Sequence, residues 1–340
     1  MKVLYGIQGT GHGHISRARE IIPHLSKHAT IDVLISGYNC KMNLENTAVS
    51  HKRGISLTYD EGGSVSYLKT ALNIQPVTFL RDINSVNPDK YDLVISDYEP
   101  VTAWAAINSQ TPSVGLSHQA SFLSGNCPRP KKKSLFSESI LKYFAPVNHP
   151  IGFHFQRYDS FILPPVIRQE IRNLNPVQKN HVTVYLPSFD HETLVSIFLQ
   201  CTETEWHIFS PFCDKEYHNK NVWVRPVGNE PFLKSIESSK GVLAGAGFET
   251  CAEAMYLGKK LLAVPIKNQY EQYCNAAALS KMGVVTVNHI DPDFISVVQQ
   301  WLDGADIIRL HETADINELA ELLFRFTSLR TAARIKTGAF

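Results

Sequence analysis

The sequence predicts an α/β protein of two doubly wound domains, and three observations carry that expectation. A short apolar run, a glycine-rich turn and a helical stretch follow one another twice, over Val3 to Leu25 and over Val242 to Leu257. Glycines at such a turn let backbone N–H groups and the positive end of the helix dipole approach a ligand. Between the two units, Pro146 to Pro165 carries four prolines and an irregular run that interrupts any periodic pattern, so a domain boundary belongs there. A chain of 340 residues, 44% hydrophobic and 19% charged, can bury two cores.

In the first half, Val3 to Ile7 alternates into a strand that enters the turn QGTGHGHISRARE. Gly9, Gly11 and Gly13 permit close approach, and Ile15, Ala18, Ile21, Ile22 and Leu25 recur on one helical face, with Pro23 expected to kink it. The turn is a poor dinucleotide fingerprint. Its spacing is not G-x-G-x-x-G, and the next strand, Ile31 to Ser36, closes on Ser36 and Gly37 instead of an acid. His12 and His14 stand at the tip of the turn, where an imidazole either acts as a base toward the crevice or merely caps the helix.

Ile55 to Tyr59 reads as a strand, and Asp60 to Ser66 as a loop able to close over a ligand. Asp92 to Ser96 is a clearer strand, followed by Asp97, Glu99 and a helix from about Val101. Asp97 can orient a histidine, with Glu99 in reserve, or it can cap that helix. Pro112 to Leu116 is a further buried strand that delivers Ser117, His118 and Gln119 to the same edge of the sheet. Arg129, Lys131, Lys132 and Lys133 form the one basic run, just before Leu135 and Phe136. A solvated loop is its plain reading; contact with an anionic membrane surface or a bound phosphate is the sharper one.

The second half starts with a strand over Val182 to Leu186 and the turn PSFDHET, where Ser188 either caps the next helix or meets a ligand. Glu205 to Phe209 and Val222 to Val224 supply strands, and Pro231 to Ser238 a helix. Val242 to Ala244 is a buried strand leading into Gly245, Ala246 and Gly247, then Phe248, Glu249 and Thr250 open a helix that ends at Gly258. Glu249 and Glu253, four residues apart, share one face of that helix. Leu261 to Val264 is the next strand, with Glu271 and Gln272 just beyond it. Val284 to Val287, a helix over Asp293 to Leu302, and a terminal helix carrying Ile316, Leu319, Leu322, Leu323 and Phe326 complete the pattern.

The net charge of +1 excludes a strongly basic, nucleic-acid-like balance, and no nucleic acid is expected as a partner. The six cysteines lack C-x-x-C pairing and read as reduced thiols. The start MKVLYGIQGTG enters a strand at once, and no stretch is long enough to span a bilayer, so a cytoplasmic protein is expected, peripheral to a membrane at most.

Gly247, Phe248, Glu249, Thr250 and Glu253, followed by Gly258, Pro265, Glu271, Gln272, Asn275 and Ala276, resemble the donor-site signature of UDP-dependent glycosyltransferases of the GT-B fold. The peptidoglycan N-acetylglucosaminyltransferase and the plant and animal UDP-glycosyltransferases carry it. The resemblance implies two Rossmann-like doubly wound domains facing a cleft: residues 1–160 on the acceptor side, 161–315 on the donor side, and 316–340 as a helix crossing back. It implies an inverting, metal-independent transfer of a sugar from a nucleotide diphosphate, a UDP-sugar foremost, to an acceptor hydroxyl, with no cofactor.

In that family a glycine followed by a histidine carries the base; Gly13 and His14 match best, and His12 competes. Asp97 takes the orienting role, and Gly11, His12, Gly13, Glu99, His118 and Gln119 lie on the acceptor side. Ser188, Gly245 to Thr250, Glu253, Glu271 and Gln272 form the donor side, with Glu253 on the ribose hydroxyls. Two departures stand out. Gly245 replaces a histidine of many members, and Glu249 sets a carboxylate where it repels a diphosphate unless it turns away. A nucleotide-sugar epimerase of the same fold and a catalytically silent nucleotide-sugar binding protein are the rival readings.

Overall fold

The computed structural model describes residues 1–10, 12–37, 49–56, 58, 70, 73–290, 293–304 and 306–326. Seven strands form the first sheet: β1 (Lys2–Gln8), β2 (Thr30–Ser36), β3 (Val49–Lys52), β4 (Leu93–Asp97), β5 (Ser113–Ser117), β6 (His149–Phe153) and β7 (Ile162–Leu163). All pair in parallel, in the order β3-β2-β1-β4-β5-β6-β7. Seven more form the second: β8 (His181–Tyr185), β9 (Glu205–Ser210), β10 (Tyr217–Asn219), β11 (Val222–Pro226), β12 (Gly241–Gly245), β13 (Lys260–Val264) and β14 (Val285–Thr286). Their order is β10-β11-β9-β8-β12-β13-β14, and β10 alone runs antiparallel.

In both sheets the strand order reverses next to the first strand, between β1 and β4 and between β8 and β12. A doubly wound sheet opens a crevice at such a point, because helices leave on opposite faces. The helices there are α1 (His12–Leu25) after β1 and, further along, α2 (Pro76–Ser85), α3 (Pro100–Ser109), α4 (Leu135–Tyr143), α5 (Gln169–Arg172), α6 (His191–Phe198), α7 (Asn229–Ser238), α8 (Phe248–Tyr256), α9 (Tyr270–Lys281), α10 (Phe294–Gly304) and α11 (Ile316–Arg325).

The near-continuous apolar strands behave as parallel strands covered on both faces do. Val3, Tyr5 and Ile7 pack toward α1 with Ala18, Ile21 and Leu25, while Leu4, Leu34 and Val94 pack toward α3 with Val101 and Ala105. Trp206, Phe198, Phe294 and Trp301 fill one face of the second sheet. Helix α11 lies against α1, with Leu319, Ala320 and Leu323 in the same buried cluster as Ala18 and Ile22.

Two expectations are corrected. Ile55, Ser56 and Thr58 of the strand expected over Ile55 to Tyr59 are not in a strand, and Leu57 and Tyr59 lie outside the described residues; a strand forms earlier, at Val49–Lys52, where it pairs with β2 as a half-exposed edge and is followed by Gly54 at φ 53. The stretch after Pro146, expected to be irregular, contains β6 and β7 of the first sheet, so that sheet extends just past residue 160. A proline at the second position of β6 and a glycine within it mask the strand pattern; Gly152 is needed because a Cβ there would lie 2.5 Å from the Ser121 Cα. Helices α2 and α4 were not expected either. The loop Asp60 to Ser66, Gly11 and residues beyond 326 lie outside the described residues.

Candidate active site

Ile7 pairs across from Asp97, so the turn after β1 and the carboxyl end of β4 lie side by side at the first switch point. Tyr98 then takes a left-handed conformation, φ 54, which turns the chain sharply away from Asp97. His14, in the first turn of α1, places Nδ1 2.7 Å from Asp97 Oδ1. A carboxylate can only accept there, so the proton sits on Nδ1 and the lone pair is left on Nε2. Nε2 has no hydrogen-bond partner among the described residues.

Asp97 is fully buried and also receives Arg17, from Nε at 3.1 Å and Nη2 at 2.5 Å. Burial by itself would push this carboxyl up; Arg17 and then His14 outweigh it and hold Asp97 below the usual carboxylate range. The Arg17 guanidinium packs 5.5 Å over the Phe153 ring. Burial works against its charge, but Asp97 and Glu249 hold the proton more firmly than usual.

Glu99, the reserve for orienting the histidine, does another job. It caps α3, accepting from Val101 N at 2.7 Å, Thr102 N at 2.6 Å and the Ser36 hydroxyl at 2.5 Å. The helix cap that Asp97 might have supplied is therefore Glu99. His12 begins α1.

At the second switch point, β12 runs into Gly245, Ala246 and Gly247, and Gly247 is the N-cap of α8. A Cβ on Gly247 would meet nothing within 4 Å, so the N-terminus of α8 faces open space. The turn is supported from below: Asn275 Nδ2 donates to the Ala246 carbonyl at 3.0 Å, and Phe248 stacks on His118 with ring centroids 4.0 Å apart. Thr250 is half-buried in the first helical turn. Ser188 sits half-buried in the turn after β8, and the cap of α6 is Asp190, which accepts from Thr193 N at 2.7 Å.

Residues assigned to the two sides meet across the gap. Glu249 turns toward the first sheet and pairs with Arg17 Nη1 at 2.6 Å. Gly13 makes room for it, since a Cβ there would lie 2.5 Å from the Glu249 carboxylate. Gln119 Nε2 donates to Glu271 at 2.9 Å. His118 is 1% exposed, with Nδ1 2.7 Å from the Phe153 carbonyl and Nε2 2.7 Å from Asn275 Oδ1. It thus braces the two halves and presents no nitrogen to an open cleft. Gln272 accepts from Ile266 N at 2.8 Å beneath the glycine turn.

Glu253 is 4% exposed and held bidentately by Arg168, Nε to Oε1 at 2.6 Å and Nη2 to Oε2 at 3.0 Å. A ribose there would share this carboxylate with Arg168. Sequence reasoning missed both arginines. The signal for Arg17 was its position one turn after His14, on the same helical face; nothing local marks Arg168. Among the described residues no group of three His, Cys, Asp or Glu is arranged to hold a metal.

A carboxylate-oriented histidine at one switch point, facing a bare glycine turn and helix N-terminus at another, defines a two-domain enzyme of the GT-B type. The chain belongs to glycosyl transferase family 1, whose family model matches residues 1–302.

Solved structures agree in fold. The glycosyltransferase SnogD from Streptomyces nogalater has a TM-score of 0.56 at 15% identity, over 100% of this chain and 99% of its own. MurG from Acinetobacter baumannii has a TM-score of 0.59 at 12% identity, over 95% and 99%. Arabidopsis thaliana UGT89C1, complexed with UDP, has a TM-score of 0.59 at 13% identity, over 96% and 100%. No curated protein sequence matches the chain. The protein is a glycosyltransferase.

Proposed function

We propose that this glycosyltransferase moves a sugar from a nucleotide diphosphate, a UDP-sugar foremost, to an acceptor hydroxyl by direct, inverting displacement without a metal. The observation that carries the reading is the His14–Asp97 pair, 2.7 Å apart, with Nε2 unpartnered among the described residues. His14 Nε2 takes the acceptor proton as the acceptor oxygen bonds to the anomeric carbon. The bond from that carbon to the diphosphate breaks on the opposite face, which inverts the centre. The departing negative charge is met by the N-terminus of α8 and the backbone N–H groups from Gly247 to Thr250. The complex of UGT89C1 with UDP supports uracil as the base.

Asp291 and Asp293 form the sequence's Asp-x-Asp pair, and Asp291 lies outside the described residues. The metal-free reading rests instead on the α8 N-terminus as the source of positive potential. Turnover that collapses with EDTA and returns with Mn²⁺ would defeat it.

Calorimetry with UDP and dTDP, together with NMR of the products formed from UDP-sugars, tests the rest. Tight UDP binding in wild type and His14→Ala alike, with release of UDP from UDP-sugar lost only in His14→Ala, is the expected result. A sugar isomer formed from donor alone would favour the epimerase, and binding with no turnover under any acceptor would favour the silent binder.

Peripheral membrane contact is proposed through Lys131, Lys132 and Lys133, all exposed beside Leu135 at 83% and Phe136 at 63% exposure. Arg129 is not part of that surface, since it pairs with Glu138 at 2.6 Å and donates to the Phe122 carbonyl at 2.7 Å. No described helix is long and apolar enough to cross a membrane. Flotation with phosphatidylglycerol vesicles, absent with phosphatidylcholine alone, is the expected behaviour.

A further inference from the structure

Arg17 touches the key acid of each half of the site. Two of its nitrogens, Nε and Nη2, lie on Asp97, at 3.1 and 2.5 Å, and Nη1 lies 2.6 Å from Glu249. Its side chain is only 3% exposed, and the guanidinium is wedged over Phe153. A side chain so enclosed, with its donors divided between two carboxylates, is not free to swing toward a ligand. Glu249, in the first turn of α8, is 28% exposed and brings a negative charge to the helix end that the donor reading reserves for a diphosphate. Gly13 keeps the approach between the two helices open.

We infer that Arg17 is a positioning residue that serves both halves at once, fixing Asp97 beneath His14 and neutralising Glu249 at the N-terminus of α8. The inference rests on the donor site proposed above. It resolves the conflict that Glu249 poses. An acid beside a diphosphate is tolerated because its charge is already answered from the opposite sheet. It also makes one contact do two jobs: the orientation of the base and the readiness of the donor turn depend on the same guanidinium. Loss of Arg17 should therefore damage two measurable quantities, donor affinity through Glu249 and turnover through Asp97 and His14, and only the first should be repairable at Glu249.

The test is calorimetry with UDP, plus the rate of UDP release from UDP-sugar, on wild type, Arg17→Gln, Arg17→Lys, Glu249→Gln and the double variant Arg17→Gln/Glu249→Gln. Arg17→Gln is expected to weaken UDP binding about tenfold and to lower kcat about a hundredfold. The double variant should bind UDP as wild type does while its kcat stays low. Arg17→Lys keeps the charge and loses the two-pronged grip on Asp97, so its UDP affinity should hold and its kcat should fall.

Should Arg17→Gln fail to fold, Arg17→Lys and Glu249→Gln still decide, the latter expected to bind UDP at least as tightly as wild type. A double variant that remains weak for UDP would mean that Arg17 contacts the donor itself, and the inference would be overturned. Glu249→Gln that loses UDP affinity, or Arg17→Lys with unchanged kcat, would overturn it as well. A wild type that binds no UDP would instead bring down the donor reading, and this inference with it.

Discussion

The two switch points are made of the same parts, a parallel strand, a glycine turn and a helix N-terminus, yet one is packed with buried charged side chains and the other keeps its glycine turn clear, its one first-turn acid, Glu249, drawn aside to Arg17. At the first, His14, Arg17 and Asp97 interlock with separations of 2.5 to 3.1 Å, and Asp97 is wholly buried. At the second, a Cβ added to Gly247 would touch nothing. The contrast fits the tasks proposed above. A base must be held in one tautomer and one orientation, which takes buried partners. An anion is best met by backbone groups, which need side chains out of the way.

The comparison can be broken most decisively at His14. His14→Ala should lower turnover by about 10² to 10⁴-fold while UDP affinity stays within about twofold of wild type, read by product release and calorimetry. A parallel loss of affinity would mean that the two switch points do not divide the labour. Next in size is Asp97→Ala, which leaves the buried Arg17 cation with Glu249 as its one remaining carboxylate. Urea unfolding should show a loss of about 3–5 kcal/mol.

At the bare switch point the expectation is reversed. Gly247→Ala should cost about 1 kcal/mol of stability, since alanine caps a helix less well than glycine but the backbone, φ −70 and ψ 139, is open to it. UDP binding should nonetheless weaken about tenfold, as the new methyl enters the space kept for the ligand. An unaffected affinity would place the diphosphate elsewhere.

The smallest effect concerns pH. The Asp97 carboxyl is held below its unfolded value, so its contribution to stability is complete above about pH 5 and is lost as pH falls through the folded value. Thermal unfolding between about pH 5 and pH 2 should therefore steepen in wild type relative to Asp97→Asn. Equal slopes would mean that Arg17 does not hold Asp97 ionised.

Much of this was legible in the sequence, for reasons of locality. The glycine turns and the strands on either side rest on short-range patterns joined by one sheet rule, that ligands gather at the carboxyl ends of strands, while the pairing of His14 with Asp97 came from the family resemblance. What escaped notice was long in range. Arg17 and Glu249 are 232 residues apart, and Arg168 and Glu253 are 85 apart. An ion pair at such separations leaves no periodicity in either segment. His118 was visible as a polar residue at a strand end, but its role as a brace depends on Asn275, 157 residues away. Strand β6 was hidden by Pro150 and Gly152, residues that usually speak against a strand interior.

Helix α11 covers α1, the helix that carries His14 and Arg17, and Phe324 and Phe326 reach His28 and His149 of the first half, with ring centroids 5.7 and 4.7 Å apart. During synthesis the segment after residue 315 leaves the ribosome only when both sheets have already been made. The half of the enzyme that emerges first is thus the last to be finished, and the helix that carries His14 keeps an uncovered apolar flank until then. Translation order and assembly order run in opposite directions here, so a stalled or truncated chain would hold a completed second sheet beside a first half still waiting for its clasp.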